Sequence, residues 1–227
     1  MPHDPSPALS CAAVIVAAGS SRRMGFDKLA AGLSGLSVLR RTIEALVAAD
    51  SITSIVVVCP HERWEGLGRM NFSKPVIRVD GGRERQDSVA AGLAALDSGI
   101  THVAVHDGAR PLIAAADIDR CVAAALEYRA AALARRVTET LKRSTAEDFS
   151  SEAVSREHLW FMETPQVFEI ALLRDAYATL TARGLAVTDE VSALEAIGIP
   201  VKLVESTLPN LKITTPADLF LAAALLK

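Results

Sequence analysis

Short apolar runs alternate with amphipathic stretches through the first half of the chain. The apolar runs are rich in β-branched residues and predict buried strands at 12–17, 55–59, 75–79 and 102–105. The amphipathic stretches predict helices at 37–49, 62–70, 85–96 and 116–128. This βαβα order predicts an α/β fold, Rossmann-like, whose mostly parallel sheet carries helices on both faces.

The pattern changes after residue 130, where no long helical period is found. Strand-like runs at 131–137, 138–143 and 152–156 are interrupted by the polar segment 144–151. We interpret 137–158 as a projecting β-arm, which docks on something else because an isolated hairpin is only marginally stable. Helices at 171–182 and 190–197, a strand at 201–205 and a helix from Pro216 complete one domain, 11–227, behind a flexible tail at 1–10.

Composition narrows the class of protein. The chain has 227 residues, of which 50% are hydrophobic and 22% charged, enough for one substantial core. A net charge of −3 gives no basic field for nucleic acid, and no apolar run reaches the roughly 20 residues of a membrane span. The three cysteines are odd in number, far apart and in apolar surroundings, which indicates reduced thiols and a cytoplasmic location.

The segment that follows the first strand carries candidate chemistry. Ala17, Ala18 and Gly19 have little side-chain bulk, so their backbone N–H groups can approach a phosphate closely. Arg23 and Lys28 follow within ten positions and can neutralise its charge. The spacing matches neither the P-loop nor the dinucleotide fingerprint. The alternative is a plain turn between strand and helix with solvated arginines.

A second candidate segment, 106–111, follows the fourth strand and places Asp107 close to Arg110. One carboxylate together with triphosphate oxygens is a usual Mg²⁺ site, so we predict Asp107 as a ligand of Mg²⁺ or another divalent cation. The alternative is a surface ion pair between the two side chains. His106 is predicted to be structural, because a phosphate oxygen already ionised at pH 7 needs no general base.

Two further segments leave alternatives open. The stretch 81–88 could bring Gly82 and Ser88 to a nucleobase edge, or could simply turn the chain and cap a helix. Lys212 lies in a short strand-like segment before the last helix, where a lysine is ordinarily a solvated charge.

Taken together, the motifs closely resemble the 2-C-methyl-D-erythritol 4-phosphate cytidylyltransferases of the non-mevalonate isoprenoid pathway. The matching motifs lie in the family's order and span nearly the whole chain. They are Ala-Ala-Gly-x-x-x-Arg-Met-Gly at 17–25, Lys28, Gly-Gly-x-x-Arg-x-Asp-Ser-Val at 81–89, His-Asp-x-Ala-Arg-Pro at 106–111, Thr-Leu-Lys-Arg at 140–143, Arg156, Leu-Trp at 159–160, Thr-Pro-Gln at 164–166, Thr-Asp-Glu at 188–190 and Leu-Lys-Ile-Thr at 211–214. The chain departs from the family where Asp27, rather than proline, precedes Lys28.

The resemblance implies a nucleotidyltransferase fold and a homodimeric enzyme that uses CTP, a divalent cation such as Mg²⁺ and a sugar-alcohol phosphate. By position, it implies roles for each matching residue in this sequence. Arg23, Lys28 and Lys212 would be catalytic contacts to phosphates; Ala17, Ala18, Gly19, Gly82 and Ser88 would bind the nucleotide; Asp107, Arg110, Thr140, Arg156, Thr164 and Thr188 would bind the acceptor, with Thr140 and Arg156 reaching the partner subunit's site.

Two rival functions use the same residues. A cytidylyltransferase for another polyol phosphate, such as ribitol 5-phosphate, shares most of these motifs. A catalytically silent nucleotide-binding module is the second rival. The presence of Arg23, Lys28, Asp107 and Lys212 argues against it, because a silent site has no reason to hold all four charges.

Overall fold

The computed structural model describes residues 10–19, 25–185 and 187–226. Eleven strands and seven helices are found in these ranges. In chain order they are β1 (Cys11–Val16), β2 (Gly32–Leu33), β3 (Leu36–Ser37), α1 (Val38–Ala48), β4 (Ile52–Val58), α2 (His61–Glu65), β5 (Val76–Val79), α3 (Arg85–Ala94), β6 (His102–Asp107), α4 (Ala115–Tyr128), β7 (Ala130–Arg136), β8 (Leu141–Ser144), β9 (Ser150–Val154), β10 (Trp160–Glu169), α5 (Ile170–Arg183), α6 (Glu190–Glu195), β11 (Lys202–Glu205) and α7 (Pro216–Leu225).

Seven strands form one sheet in the order β11-β7-β10-β6-β1-β4-β5. β1 pairs in parallel with both β4 and β6, and β10 runs antiparallel between β6 and β7. The predicted mostly parallel α/β sheet is therefore confirmed. The chain moves from β1 to β4 and β5 on one side and then returns to β6 on the other, so β1 and β6 flank the point where ligands bind in such sheets.

Both faces of the sheet are covered by helices. Ile15 of β1 packs into the core beneath α1 and α4, with Leu39 and Cys121, whereas its neighbour Val14 points to the opposite core with Val89 of α3 and Leu173 of α5. Because both faces are buried, the strand reads as a continuous apolar run rather than an alternating one. That rigid base fixes the loops at the carboxyl ends of the strands.

The arm is seen as a separate two-stranded sheet of β8 and β9. Almost all of its side chains are exposed, and its base is closed where Val137 N donates to the Leu159 carbonyl, 3.1 Å away. The long strand β10 is not among the predicted strands, and it contains Pro165, a residue that is unusual inside a central strand. The pairing of β10 with β7 shifts register between Met162 and Gln166, which accommodates the proline.

The shorter helices differ from the prediction at one end and agree with it at another. The helix predicted at 62–70 ends already at Glu65, because the chain turns at Gly66 and takes a positive φ at Gly68. Pro216 begins the last helix as predicted, behind a capping box formed by Thr215 and Asp218. Within the described ranges, every helix is too short or too polar to cross a bilayer.

Candidate functional site

A cavity of about 450 Å³ opens at the carboxyl ends of β1 and β6, and we call it the β1–β6 cavity. Its charged lining consists of four cations and two carboxylates, so the wall carries an excess of positive charge that suits an anionic ligand. The lining residues are Val16, Ala17, Ala18, Gly19, Lys28, Leu29, Gly82, Arg83, Glu84, Arg85, Ser88, Asp107, Gly108, Ala109, Lys212 and Thr214.

Asp107 is the last residue of β6 and the electrostatic centre of the cavity. Its Oδ2 lies 2.7 Å from Lys212 Nζ and 3.6 Å from Arg110 Nε, and its Oδ1 lies 3.5 Å from an Arg85 guanidinium nitrogen. Burial alone would raise the pKa of Asp107, but these three cations outweigh burial and hold the pKa well below its usual range. The carboxylate is therefore ionised at any physiological pH.

His106 is fully buried and serves the backbone around Asp107. Asp107 N donates to Thr164 Oγ1 at 3.1 Å, and that oxygen lies 2.9 Å from His106 Nδ1, while His106 Nε2 faces the Arg110 carbonyl at 3.3 Å. Burial lowers the pKa of His106 to about 4, so the ring is neutral near pH 7. These contacts support the predicted structural role. They also engage the Thr164 hydroxyl within the protein.

Lys28 and Lys212 approach the cavity from two separate segments. Lys28 Nζ donates to the Ile213 carbonyl at 2.7 Å, and Ile213 N donates to the Ala109 carbonyl at 2.8 Å. The segment that carries Lys212 is thus fixed to both the loop after β1 and the loop after β6. Lys212 keeps 43% of its side chain exposed, so its ammonium can reach a ligand while it pairs with Asp107.

The glycine turn before α3 packs directly on the loop after β1. A Cβ at Gly81 would collide with the Ala18 side chain and would lie 2.9 Å from Ser88 Oγ, so only glycine fits there. Ser88 Oγ accepts from Gly82 N at 3.2 Å and faces the Glu84 carbonyl at 3.3 Å. Ser88 holds the turn in shape while lining the cavity, so the two alternatives left open by the sequence are compatible.

Two arginines at the site were not singled out from the sequence. Arg85 is the first residue of α3, lines the cavity and approaches Asp107. Arg63 of α2 pairs with Asp27 and donates to the carbonyls of Ala17 and Gly19. Arg85 is the arginine of the motif at 81–89 and could have been found there. Arg63 lies in no motif, and only the fold brings it to the loop.

The other predicted site residues lie apart from this cavity. Arg110 lines an adjoining cavity of about 650 Å³, which also contacts Lys212. Thr188 is exposed before α6, and Thr140 is exposed on the arm, just before β8. Arg156 is exposed and donates to the Thr138 carbonyl across the base of the arm. Arg23, one of the three predicted catalytic cations, lies outside the described residues, as does the tail at 1–9.

The donor set limits what metal chemistry this cavity can support. No cluster of three or more metal-ligating side chains is found among residues 10–19, 25–185 and 187–226. Asp107 supplies one ionised carboxylate at the cavity wall, and Mg²⁺ needs only one or two protein carboxylates when substrate phosphates and water complete its shell. The residues therefore fit a divalent cation that arrives with a phosphorylated substrate, and they do not fit a pre-formed cage.

Comparison with known proteins gives a consistent picture. Residues 11–227 match the family model of IspD, described as 2-C-methyl-D-erythritol 4-phosphate cytidylyltransferase. Proteins of that name from Pelotomaculum thermopropionicum and Prochlorococcus marinus are each 42% identical to the chain, over 225 and 217 residues. The alignments cover 95% and 94% of this chain, and 94% and 96% of the relatives.

Solved structures agree with the sequence comparison. The crystal structure of the 2-C-methyl-D-erythritol 4-phosphate cytidylyltransferase from Thermus thermophilus is 32% identical, with a TM-score of 0.79 over 96% of this chain and 98% of that one. The structure of a 4-diphosphocytidyl-2C-methyl-D-erythritol synthase from Anaerococcus prevotii is 26% identical, with a TM-score of 0.84 over 96% of each chain.

Proposed function

The chain belongs to the 2-C-methyl-D-erythritol 4-phosphate cytidylyltransferase family, and we propose that it catalyses the reaction after which the family is named. CTP and 2-C-methyl-D-erythritol 4-phosphate give 4-diphosphocytidyl-2-C-methyl-D-erythritol and pyrophosphate. The observation that carries the proposal is the cationic β1–β6 cavity, where Lys28 and Lys212 converge beside an ionised Asp107.

The chemistry follows from the charges in this cavity. An oxygen of the acceptor phosphate attacks the α-phosphorus of CTP, a new P–O bond forms, and the bond to the β-phosphate oxygen breaks to release pyrophosphate. Both reactants are anions, so their repulsion is the main obstacle and fixed cations lower it. In this proposal Lys212 would contact the reacting phosphates and Lys28 the leaving pyrophosphate, since both lysines line the cavity. No covalent enzyme intermediate is needed.

Two assignments within this reaction extend the proposal. Asp107 would hold Mg²⁺ or another divalent cation together with substrate phosphates, and the ion would supply additional charge neutralisation when bound. Ala17, Ala18, Gly19, Gly82 and Ser88 would hold the nucleotide, since all five line the cavity.

The free, buried thiols of Cys11, Cys59 and Cys121 support a reducing, cytoplasmic setting.

The acceptor side of the site involves a second subunit in this proposal. Arg110 lies beside the β1–β6 cavity, whereas Thr140 and Arg156 lie on the arm and are exposed to solvent. A two-stranded hairpin with few buried side chains is marginal alone, so docking on a partner would stabilise it. In a homodimer, the arm would bring Thr140 and Arg156 to the acceptor phosphate in the partner's site. Thr188 remains a proposed acceptor contact from the subunit's own chain, and so does Thr164, although its buried hydroxyl already accepts from Asp107 N.

Pyrophosphate release measured over a matrix of four nucleoside triphosphates and several acceptor phosphates tests the proposal. We expect turnover with CTP and 2-C-methyl-D-erythritol 4-phosphate, and far less with ATP, GTP or UTP. Higher kcat/KM with ribitol 5-phosphate would replace the acceptor but keep the cytidylyl transfer. Tight CTP binding without turnover on any acceptor would instead support the silent nucleotide-binding module.

A further inference from the structure

A buried carboxylate lies just behind the wall of the β1–β6 cavity. Glu190 is the first residue of α6, and its side chain is 0% exposed. Its Oε1 accepts hydrogen bonds from the Arg85 guanidinium and from the Tyr177 hydroxyl, the latter at 2.9 Å. Its backbone N–H donates to Gln166 Oε1 at 3.1 Å, which fixes the start of α6 on β10. Glu190 is therefore held in place from the backbone as well as from the side chain.

Arg85 connects this buried carboxylate to the cavity. One terminal nitrogen of its guanidinium donates to Glu190, and the other faces Asp107 Oδ1 at 3.5 Å. Its side chain is 29% exposed and lines the cavity. Burial lowers the pKa of Arg85, but the carboxylates of Glu190 and Asp107 outweigh it and raise the pKa above its usual value. Because the guanidinium is planar and carries donors at both ends, Glu190 can anchor one end of it while the other end faces a ligand.

Burying the Glu190 carboxylate against Arg85 costs free energy, and a purely structural contact would not explain that cost. Glu190 Oε2 is buried and has no hydrogen-bond partner among the described residues. Replacing a buried ion pair by apolar residues of similar volume is often neutral or stabilising, so burial of this pair is weak evidence for a stabilising role. The position of Glu190 in the first turn of α6 favours a negative charge but does not explain its contact with Arg85.

We propose that Glu190 and Tyr177 are positioning residues that hold the Arg85 guanidinium at the wall of the β1–β6 cavity, oriented towards Asp107 and the bound nucleotide. Neither residue lines the cavity itself, since Glu190 is enclosed and Tyr177 lies behind it on α5. The proposal rests on the proposed function for its kinetic readout, while nucleotide binding provides a readout that does not require turnover.

The test combines a double-mutant cycle with binding and folding measurements on the full chain. Glu190→Gln and Arg85→Met are made singly and together, with Tyr177→Phe as a milder variant and Asp119→Asn as a matched control. Asp119 accepts from Ser51 N at 2.9 Å beside the start of β4, at the end of the sheet opposite the cavity. Urea unfolding shows which variants are folded, calorimetric titration gives the Kd for CTP, and pyrophosphate release gives kcat and KM.

We expect Glu190→Gln to lower kcat/KM at least tenfold, Tyr177→Phe to lower it less, and Asp119→Asn to leave it unchanged. The double variant should be no worse than Arg85→Met alone, because Glu190 acts only through Arg85. Additive losses in folded variants would overturn the proposal, as would wild-type kcat/KM and CTP affinity in Glu190→Gln. If wild-type protein binds CTP but turns over no acceptor, the proposed function fails. The Kd for CTP then replaces kcat/KM as the quantity compared across the same double-mutant cycle.

Rescue by guanidinium ion provides a second readout, because the ion would not restore activity to a variant that has lost only packing. In Arg85→Ala, low millimolar guanidinium chloride should occupy the vacated position beside Glu190 and restore part of the lost activity or CTP affinity. In Arg85→Ala combined with Glu190→Gln, the anchoring charge is gone and the ion should have no effect. Equal rescue in both backgrounds would contradict the anchoring role, and so would a failure of the ion to rescue Arg85→Ala.

Discussion

Asp27 Oδ2 lies 2.8 Å from Arg63 Nε, and this pair joins described residues that lie on the two sides of the loop after β1. The Arg63 guanidinium also donates to the carbonyls of Ala17 and Gly19, while Asp27 Oδ1 accepts from Leu29 N at 3.0 Å. One arginine therefore ties both ends of the loop together. The aspartate, which stands where the family has a proline, fixes the segment before Lys28 by an ion pair instead of by a restricted φ.

The first prediction concerns this pair. Asp27→Asn removes the charge that orients Arg63, so Ala17, Gly19 and the segment before Lys28 should be held together less firmly where they would contact the triphosphate. A partly buried, charge-assisted hydrogen bond contributes about 1.5–3 kcal/mol, and we expect KM for CTP to rise about tenfold with a smaller change in kcat. Steady-state kinetics at fixed acceptor concentration measures this. Glu44→Gln, which breaks a half-exposed pair with Arg40 on α1, is the matched control. An unchanged KM in Asp27→Asn would mean that the loop is held by other contacts.

Lys28 and Lys212 provide the second prediction. Each places an ammonium at the cavity wall, and in the proposed reaction each offsets negative charge on the reacting phosphates. We expect Lys28→Ala and Lys212→Ala to lower kcat by about 10²–10³. Urea unfolding should show folded protein in both cases. If either variant retains near-normal turnover, that lysine is not part of the catalytic machinery.

Much of this site could be anticipated from the sequence because short-range patterns encode it. Apolar runs located β1 and β6, and parallel strands bring their following loops to one edge of the sheet, where Lys28 and Asp107 line the same cavity. Arg85 stands in the motif at 81–89, but a glycine turn before a helix predicts only a turn or a base contact and gives no signal for an ion pair. Its pairing with Glu190 joins positions 105 apart in sequence and depends on α3 and α6 packing on the same face.

The third prediction is a stability change that depends on His106. Its pKa is about 4 in the folded protein, against 6.5 for the ordinary side chain, because burial disfavours the charged ring. The unfolded chain therefore binds more protons between these values. Stability contributed by the neutral ring is complete above pH 6.5 and is lost as the pH falls towards 4, by up to about 3 kcal/mol.

Urea unfolding at pH 7 and pH 5 measures this effect. His106→Gln, whose amide retains a donor and an acceptor, should lose much less stability between the two pH values than the wild-type protein. Asp107 does not affect the result, because its contribution to stability is lost only below its ordinary pKa of 3.8, outside the range from pH 5 to pH 7. Equal slopes for both proteins would place the pKa of His106 near its ordinary value. The pH dependence of kcat above pH 6.5 should not change through this residue, because the ring is neutral throughout.

The last prediction is that the active sites are shared between two subunits. The arm of β8 and β9 extends from the sheet with most of its side chains exposed, and Phe149 beside its turn is 71% exposed. Arg156→Ala and Lys28→Ala should each be inactive alone, because each removes a cation from every site. After subunit exchange at equal amounts, about half of the dimers are mixed, and each mixed dimer has one site with both residues intact. Activity should therefore recover to about a quarter of the wild-type value in a closed two-fold dimer. The matched control mixes Lys28→Ala with Lys212→Ala, which lie in the same cavity of one chain and should give no recovery. No recovery for the first mixture, despite verified exchange, would assign the arm to the site of its own subunit.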